Sequence, residues 1–238
     1  MLSRFEGDFL IIWIPACAGM TQFCANGQFG MSAIFKVAVS QRVDVWADRG
    51  ERRDALDQRL CQWLVEVGCV PIPVPNTLSA GEWQSWLYAV KPDAVLLSGG
   101  NDIGDVIERD NTERSLLDYA KELVLPALGI CRGMQMMAVW AGGSLAPVSG
   151  HVRTRHHLQT AANMGAWPDE VNSFHNFSLA DCPPGFMVAA RAEDGAIEAM
   201  RHATLPWEGW MWHPEREPQF NLTDAMRFRA LLNFRSTK

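Results

Sequence analysis

The stretch "LPALGICRGMQMMA", residues 125–138, decides the fold. A short apolar run, "ALGI", stops at Cys131. Arg132 and Gly133 follow at once, and a Met-rich segment with helical spacing then runs to Gly142 and Gly143. A strand, a sharp turn and a helix in direct succession form the repeating unit of a sheet covered by helices. Cys131 stands on the turn itself. It is either a buried thiol in a tight corner or a nucleophile held at the sheet edge.

The segments on either side extend the pattern. "FKVAVSQRV" (35–43) reads as a buried first strand ending at a polar corner. "ERRDALDQRLCQWLVEVG" (51–68) places Leu56, Leu60, Trp63, Leu64 and Val67 at helical spacing, closed by Gly68. "CVPIPVP" (69–75) is a short strand bounded by prolines. "LSAGEWQSWLYAVKP" (78–92) is a helix with Ser79 as its N-cap. "DAVLLSGG" (93–100) is a strand ending in two glycines, and "NTERSLLDYAKELV" (111–124) is a third helix. The C-terminal third is richer in loops and closes with a helix over "NLTDAMRFRALLNFR" (221–235). The strands are continuously apolar rather than alternating. This predicts an α/β fold with a doubly wound, mostly parallel sheet and helices on both faces. Functional groups collect at the carboxyl ends of such strands, and three segments end there in polar or glycine residues: "SQR", "SGGND" and "GICRG".

After Met31 no linker, repeat or low-complexity tract divides the chain, so residues 31–238 are expected to form a single domain. Residues 1–30 read differently. Phe9–Ala18 imitates the apolar core of a signal peptide, but Glu6 and Asp8 precede it where positive charge is expected. "WIPACAGMT" resembles the translated product of a bacterial interspersed repeat. The expectation is a non-native or disordered extension, with the native start at Met31.

Composition excludes several classes of function. The net charge of -6 over 238 residues disfavours nucleic-acid binding, which needs clustered Lys and Arg. No apolar run reaches the length of a membrane span. Six cysteines lie scattered with no C-x-x-C pair, as expected of reduced thiols in a cytoplasmic protein.

A thiol nucleophile needs a base, an orienting group for that base and an oxyanion hole. Gly129 and Gly133 flank Cys131 in a G-x-C-x-G elbow, where neighbouring backbone leaves no room for side chains. The following helix N-terminus favours negative charge on sulfur. "MWHPERE" supplies His213 and, two residues on, Glu215. In an extended segment the two share a face, and Pro214 is expected to keep helix out of it. The backbone N–H groups of Gly100 and Arg132 are the oxyanion-hole candidates.

"SGGND", "LGICRGMQ", "NSFHNF" and "WHPERE", in this order, resemble class I glutamine amidotransferase domains, and more narrowly the stand-alone γ-glutamyl hydrolases of that superfamily. Arg109, Asp110 and Glu113 match the family's R-D-x-x-E. The resemblance implies hydrolysis of a γ-glutamyl amide through a thioester on Cys131, with His213 as base and acid, Glu215 orienting it, and no cofactor. It also implies that Gln135 lines the glutamyl pocket and that the segment Ser173, Phe174, His175 holds the α-amino acid end. Where γ-glutamyl-γ-aminobutyrate hydrolases have Ser-x-His-His-Gln, this chain has Asn176 and Phe177. "NSFHNF" and "MWHPERE" look most like γ-glutamyl-CDP-amidate hydrolases, which release glutamate and cytidine diphosphoramidate for decorating capsular polysaccharide. The expected partner is therefore a small γ-glutamyl molecule, nucleotide-linked in this reading. A γ-glutamyl-γ-aminobutyrate hydrolase and a glutaminase subunit feeding ammonia to a separate synthetase are the alternatives.

"GHVRTRHH" (150–157) is expected to be a solvated loop. Arg153 and Arg155 could meet a diphosphate. His151, His156 and His157 have no nearby Cys or carboxylate at ligand spacing, so no metal is expected. Trp46 and Trp167, in loops, are candidates for stacking on a base, with packing the plainer expectation.

Overall fold

The computed structural model describes residues 34–234. The expectation for residues 1–30 lies outside them. The chain enters the central sheet with β1 (Phe35–Ser40) and turns out into a hairpin, β2 (Arg42–Trp46) and β3 (Glu51–Ala55). Helix α1 (Gln58–Glu66), β4 (Cys69–Val74), α2 (Ala80–Val90), β5 (Ala94–Leu97), α3 (Ile107–Leu123), β6 (Ala127–Ile130) and α4 (Arg132–Trp140) follow. Beyond them come β7 (Leu145–Pro147), β8 (Val152–His157), β9 (Gln159–Thr160), β10 (Glu170–Phe174) and β11 (Phe177–Leu179). The chain finishes with β12 (Phe186–Arg191), β13 (Ile197–His202), β14 (Trp207–Trp210), a 3₁₀ turn (Pro214–Arg216) and α5 (Leu222–Leu232).

The eight-stranded sheet runs β4-β1-β5-β6-β14-β13-β12-β9. From β4 to β14 neighbouring strands are parallel, and β13, β12 and β9 add an antiparallel wing. The parallel half has the flavodoxin-like order, whose switch point lies between β1 and β5. Both faces are covered. Val37, Val39, Leu96, Leu128 and Ile130 face α1 and α5. Ala38, Val95, Leu97 and Ala127, from the same strands, face α3 and α4. This two-sided burial is why the strands read as unbroken apolar runs. Strand β4 forms one edge and carries Pro71 and Pro73.

Local departures from the expectations have identifiable causes. Residues 51–55 are strand, not helix. Their charged run pairs with β2 in register Arg53↔Asp44, and the Asp57 carboxylate accepts the Arg59 N–H at 2.9 Å, capping α1 one turn later than apolar spacing suggested. Nine residues are too few for a stable isolated helix. Helix α1 holds because Leu60, Trp63 and Leu64 are buried, with Trp63 stacked on Phe228 at 5.3 Å. Helix α3 begins at Ile107, so Arg109, Asp110 and Glu113 are helical and share its inner face. Helix α2 has the expected Ser79 cap, closed as a capping box by Glu82. The segment 152–157 is a strand paired with β10 and not a solvated loop. Trp167 is core, packed on Trp210 and Trp212 under the Arg227 guanidinium. Trp46 is 43% exposed and lies beneath Arg49 and Arg53. Among the described residues no helix is long and apolar enough to cross a membrane.

Candidate active site

Cys131 follows β6 with φ 50° and ψ -107°, a backbone region that side chains rarely adopt. Two glycines make the corner passable. A Cβ at Gly129 would lie 2.6 Å from the Gly133 carbonyl, and one at Gly133 would collide with the Leu97 carbonyl oxygen and sit 2.7 Å from its carbon. The corner is fastened on both sides. The Cys131 N–H donates to Trp210 O at 2.7 Å, and the Gln135 N–H donates to Cys131 O at 3.1 Å. The thiol opens helix α4 and is 6% exposed.

His213 follows β14, the strand beside β6, and the fold brings it close enough for charge on the Cys131 sulfur to act on it. Its Nδ1 donates to Glu215 Oε1 at 2.6 Å, which leaves Nε2 for sulfur. Pro214 does not keep helix out of this segment. It starts a 3₁₀ turn at the first helical position, where its missing N–H costs nothing. That turn, rather than an extended strand, swings Glu215 under the imidazole. Burial by itself lowers the His213 pKa. The carboxylate of Glu215 and negative charge on Cys131 outweigh it and raise the pKa to about 9. At neutral pH this favours the imidazolium, a proton donor beside the thiol.

The backbone of His213 is clamped by a residue to which sequence reasoning gave no role. Asn172 on β10 accepts the His213 N–H at 3.0 Å and donates to His213 O at 2.8 Å and to Glu217 Oε1 at 2.7 Å. Only the adjacency of Asn172 to Ser173 in "VNSFHNF" could have pointed to it.

The loop after β5 passes directly against the imidazole. A Cβ at Gly99 would lie 2.6 Å from His213 Cε1. Gly100 has φ +94°. The Arg132 N–H is the first of helix α4 and has no partner within the helix. A buried polar lattice beneath holds these backbones. Arg109 donates to Ser98 O at 2.7 Å and Gly99 O at 2.9 Å, and to Glu113 at 3.1 Å. Arg132 pairs with Asp110 and Glu113 and donates to Asn101 O. Ser40 Oγ donates to Glu113 at 2.7 Å and accepts the Ser98 N–H. Burial lowers the pKa of Arg109 to about 10 and of Arg132 to about 9, each helped by the other cation or by Arg42, yet both remain charged against their carboxylates at neutral pH.

A cavity of about 250 Å³ opens at His213, Glu215, Ser98, Gly99 and Gly100, and is bounded by Arg42, Asp44, Leu56, Leu60 and Arg216. Arg216 lies over Phe174, whose ring meets His213 edge-on at 6.0 Å. Phe174 is thus beside His213. Other expected contacts fall elsewhere. Gln135 is buried and its amide donates to Phe177 O at 2.8 Å, bracing β11. The Ser173 hydroxyl donates to His151 O, and the His175 ring packs on His151, so both side chains enter a buried histidine cluster. Arg153 and Arg155 do not line the cavity. Arg155 is held by Glu170 at 2.5 Å and Glu217 at 3.2 Å. The guanidinium groups that do border the cavity are Arg42 and Arg216.

The fold thus gathers a thiol, an imidazole, a carboxylate and candidate oxyanion donors at one corner. The profile of the peptidase C26 family matches residues 35–215, most of the chain. The chain belongs to the peptidase C26 family. Relatives of this peptidase C26 chain point to amide C–N hydrolysis. It is 34% identical over 134 residues to a γ-glutamyl-CDP-amidate hydrolase of Campylobacter jejuni, covering 54% of this chain and 64% of that relative, a little under two thirds of its length. It is 33% identical over 147 residues to a glutamine-hydrolysing GMP synthase subunit of Methanosarcina barkeri, covering 60% of this chain and 72% of the relative. The crystal structure of a GMP synthase subunit from Thermoplasma acidophilum shares the fold with a TM-score of 0.65 at 24% identity, over 84% of this chain and 95% of that one. Family and relatives alike are those of glutamine amidotransferase-like proteins that hydrolyse amide C–N bonds.

Proposed function

We propose that the chain hydrolyses the γ-amide of a γ-glutamyl compound carrying an anionic, nucleotide-like leaving group, with γ-glutamyl-CDP-amidate as the best-fitting substrate. The thiolate of Cys131 attacks the γ-carbonyl carbon. The resulting oxyanion accepts from the N–H groups of Gly100 and Arg132. His213 Nε2 gives its proton to the amide nitrogen, the C–N bond breaks, and a thioester remains on Cys131. Water then loses a proton to His213 and attacks the thioester, and glutamate leaves as the thiolate is restored. Arg132 takes part through its backbone, because its side chain is committed to Asp110 and Glu113.

The observation that carries the substrate class is the pair of arginines, Arg42 and Arg216, at the cavity holding His213 and Glu215, with Arg42 braced through Nε by Asp44 at 2.8 Å and its terminal nitrogens left for a ligand. Arginine pairs well with phosphate oxygens, whereas ammonia, the leaving group of glutamine, needs no such rim. The similarity to the Campylobacter enzyme supports the same class. The similarity to GMP synthase subunits supports the second reading, a glutaminase serving a separate synthetase. Mass spectrometry of glutamate release from γ-glutamyl-CDP-amidate, γ-glutamyl-γ-aminobutyrate and glutamine separates them, with Cys131→Ala as the blank. Preferential turnover of the first is expected. Turnover of glutamine alone would overturn the proposal in favour of the second reading.

A further inference from the structure

Away from the catalytic corner, three buried groups, His151, His175 and Glu198, face one another closely. His151 Nε2 donates to Asp194 Oδ2 at 2.8 Å, and His175 Nδ1 donates to Phe177 O at 3.0 Å. Both partners only accept, so in the neutral rings the hydrogens are fixed there. The remaining nitrogens, His151 Nδ1 and His175 Nε2, therefore carry bare lone pairs. They lie 3.2 Å apart. Each is also 3.4 Å from Glu198 Oε1, on β13. Glu198 is fully buried and neither of its carboxylate oxygens has a hydrogen-bond partner. With both rings neutral, three acceptors thus converge in the protein interior, an arrangement that costs several kcal/mol unless a proton or a metal cation lies among them.

The dimensions suit a metal ion. Ligands about 2.0–2.1 Å from a tetrahedral zinc lie about 3.3 Å from one another, and the three edges here are 3.2, 3.4 and 3.4 Å. A fourth donor is at hand. His156 Nε2 is buried without a partner, and His156 offers a ligand atom within 4.8 Å of ones on His151 and Glu198, a looser spacing than the triangle with His175, so it has to close in to serve as the fourth ligand. The hydrogen bonds from the far sides of His151 and His175 to a carboxylate and a carbonyl are the outer support that metal-bound imidazoles usually have.

We propose that His151, His156, His175 and Glu198 form a site for a divalent transition ion of the zinc class. Its role is structural. It ties the β8–β10 ribbon to β13 of the central sheet, and that ribbon carries Asn172 and Phe174 to His213. The reading of "GHVRTRHH" found no carboxylate at ligand spacing because Glu198 arrives from a strand more than forty residues away in sequence.

The test uses the full chain, stripped with a chelator and titrated with Co²⁺ or Zn²⁺ alone. One Co²⁺ per chain with the intense visible bands of four-coordinate cobalt is expected, together with a rise in Tm on adding Zn²⁺. His156→Ala removes a partly exposed ligand and should weaken binding at least about tenfold, and Glu198→Gln should abolish the bands. Cys131→Ala should keep them. Absence of binding to the wild-type chain, or bands that survive His156→Ala unchanged or vanish in Cys131→Ala, would overturn the proposal. A ¹⁵N spectrum showing His151 as an imidazolium in the metal-free and the metal-treated chain alike would do so too.

Discussion

At Cys131 the backbone and the chemistry pull against each other. A side chain at φ 50°, ψ -107° costs about 1–3 kcal/mol, and the corner tolerates it because flanking hydrogen bonds and the packed glycines leave no alternative. Cys131→Gly should therefore be more stable than Cys131→Ala by about 1 kcal/mol in denaturant melts, while both lose hydrolysis. Equal stability would show that the corner is not strained. The His213 imidazolium gives a second expectation. Its pKa in the fold, about 9, lies above the free value of about 6.5. Folding thus favours the protonated ring. The stabilisation is complete below about pH 6.5 and is lost as pH rises through about 9. Tm should fall over that window, and Glu215→Gln, which removes the main charge raising the pKa, should flatten the fall. Cys131, His213 and Glu215 could be singled out in the sequence as candidates because a thiol, an imidazole and a carboxylate carry their reactivity with them. The supporting residues were not, because an asparagine or a buried glutamate gains its meaning only from what the fold sets beside it.

At the scale of elements, the site depends on where β10 and the hairpin β2–β3 are held. Asn172 clamps both backbone groups of His213 without touching the reacting atoms, which makes it a positioning residue. Asn172→Ala should lower kcat by about 10–100-fold with little change in KM, and the pH profile should broaden as the ring loses its fixed orientation. A matched loss in KM would point to a role in binding. The elements themselves were mostly visible in advance. The strands and helices of the parallel half announced themselves by apolar runs and by caps at Ser79 and Gly68. The hairpin was missed because residues 51–54 are charged and lie outside the central sheet, so no periodicity marks them. The ribbon β8–β10 was read as a loop because its pairing joins segments far apart in sequence.

Across the whole molecule, one buried lattice ties the sheet to the catalytic corner. Ser40 of β1, Ser98 after β5, Arg109, Asp110 and Glu113 of α3, and Arg132 of α4 form a single set in which two cations meet two carboxylates. Removing one charge strands its partner in the interior. Glu113→Gln should cost about 3–5 kcal/mol, read as a fall in Tm, and should depress hydrolysis further than stability alone explains, because the loop of Ser98 and Gly99 hangs from Arg109. Glu113→Gln with unchanged Tm would show that the lattice bears little weight. Fold class was readable from "LPALGICRGMQMMA" and its neighbours because two-sided burial writes itself into the central parallel strands β1, β5 and β6. The lattice was partly readable in the R-D-x-x-E spacing, which places Arg109 and Glu113 one helical turn apart, though not in what they hold.

The prolines of β4 have a consequence for assembly. Proline offers no N–H, so Pro71 and Pro73 present no donors along the outer margin of that edge strand. The opposite edge is β9, only two residues long. A sheet closed in this way resists growth by strand addition. A synthetase, or a second copy of this chain, that docks at these margins has to be recognised through side chains, and its contact surface is to be sought on the helical faces or around the cleft.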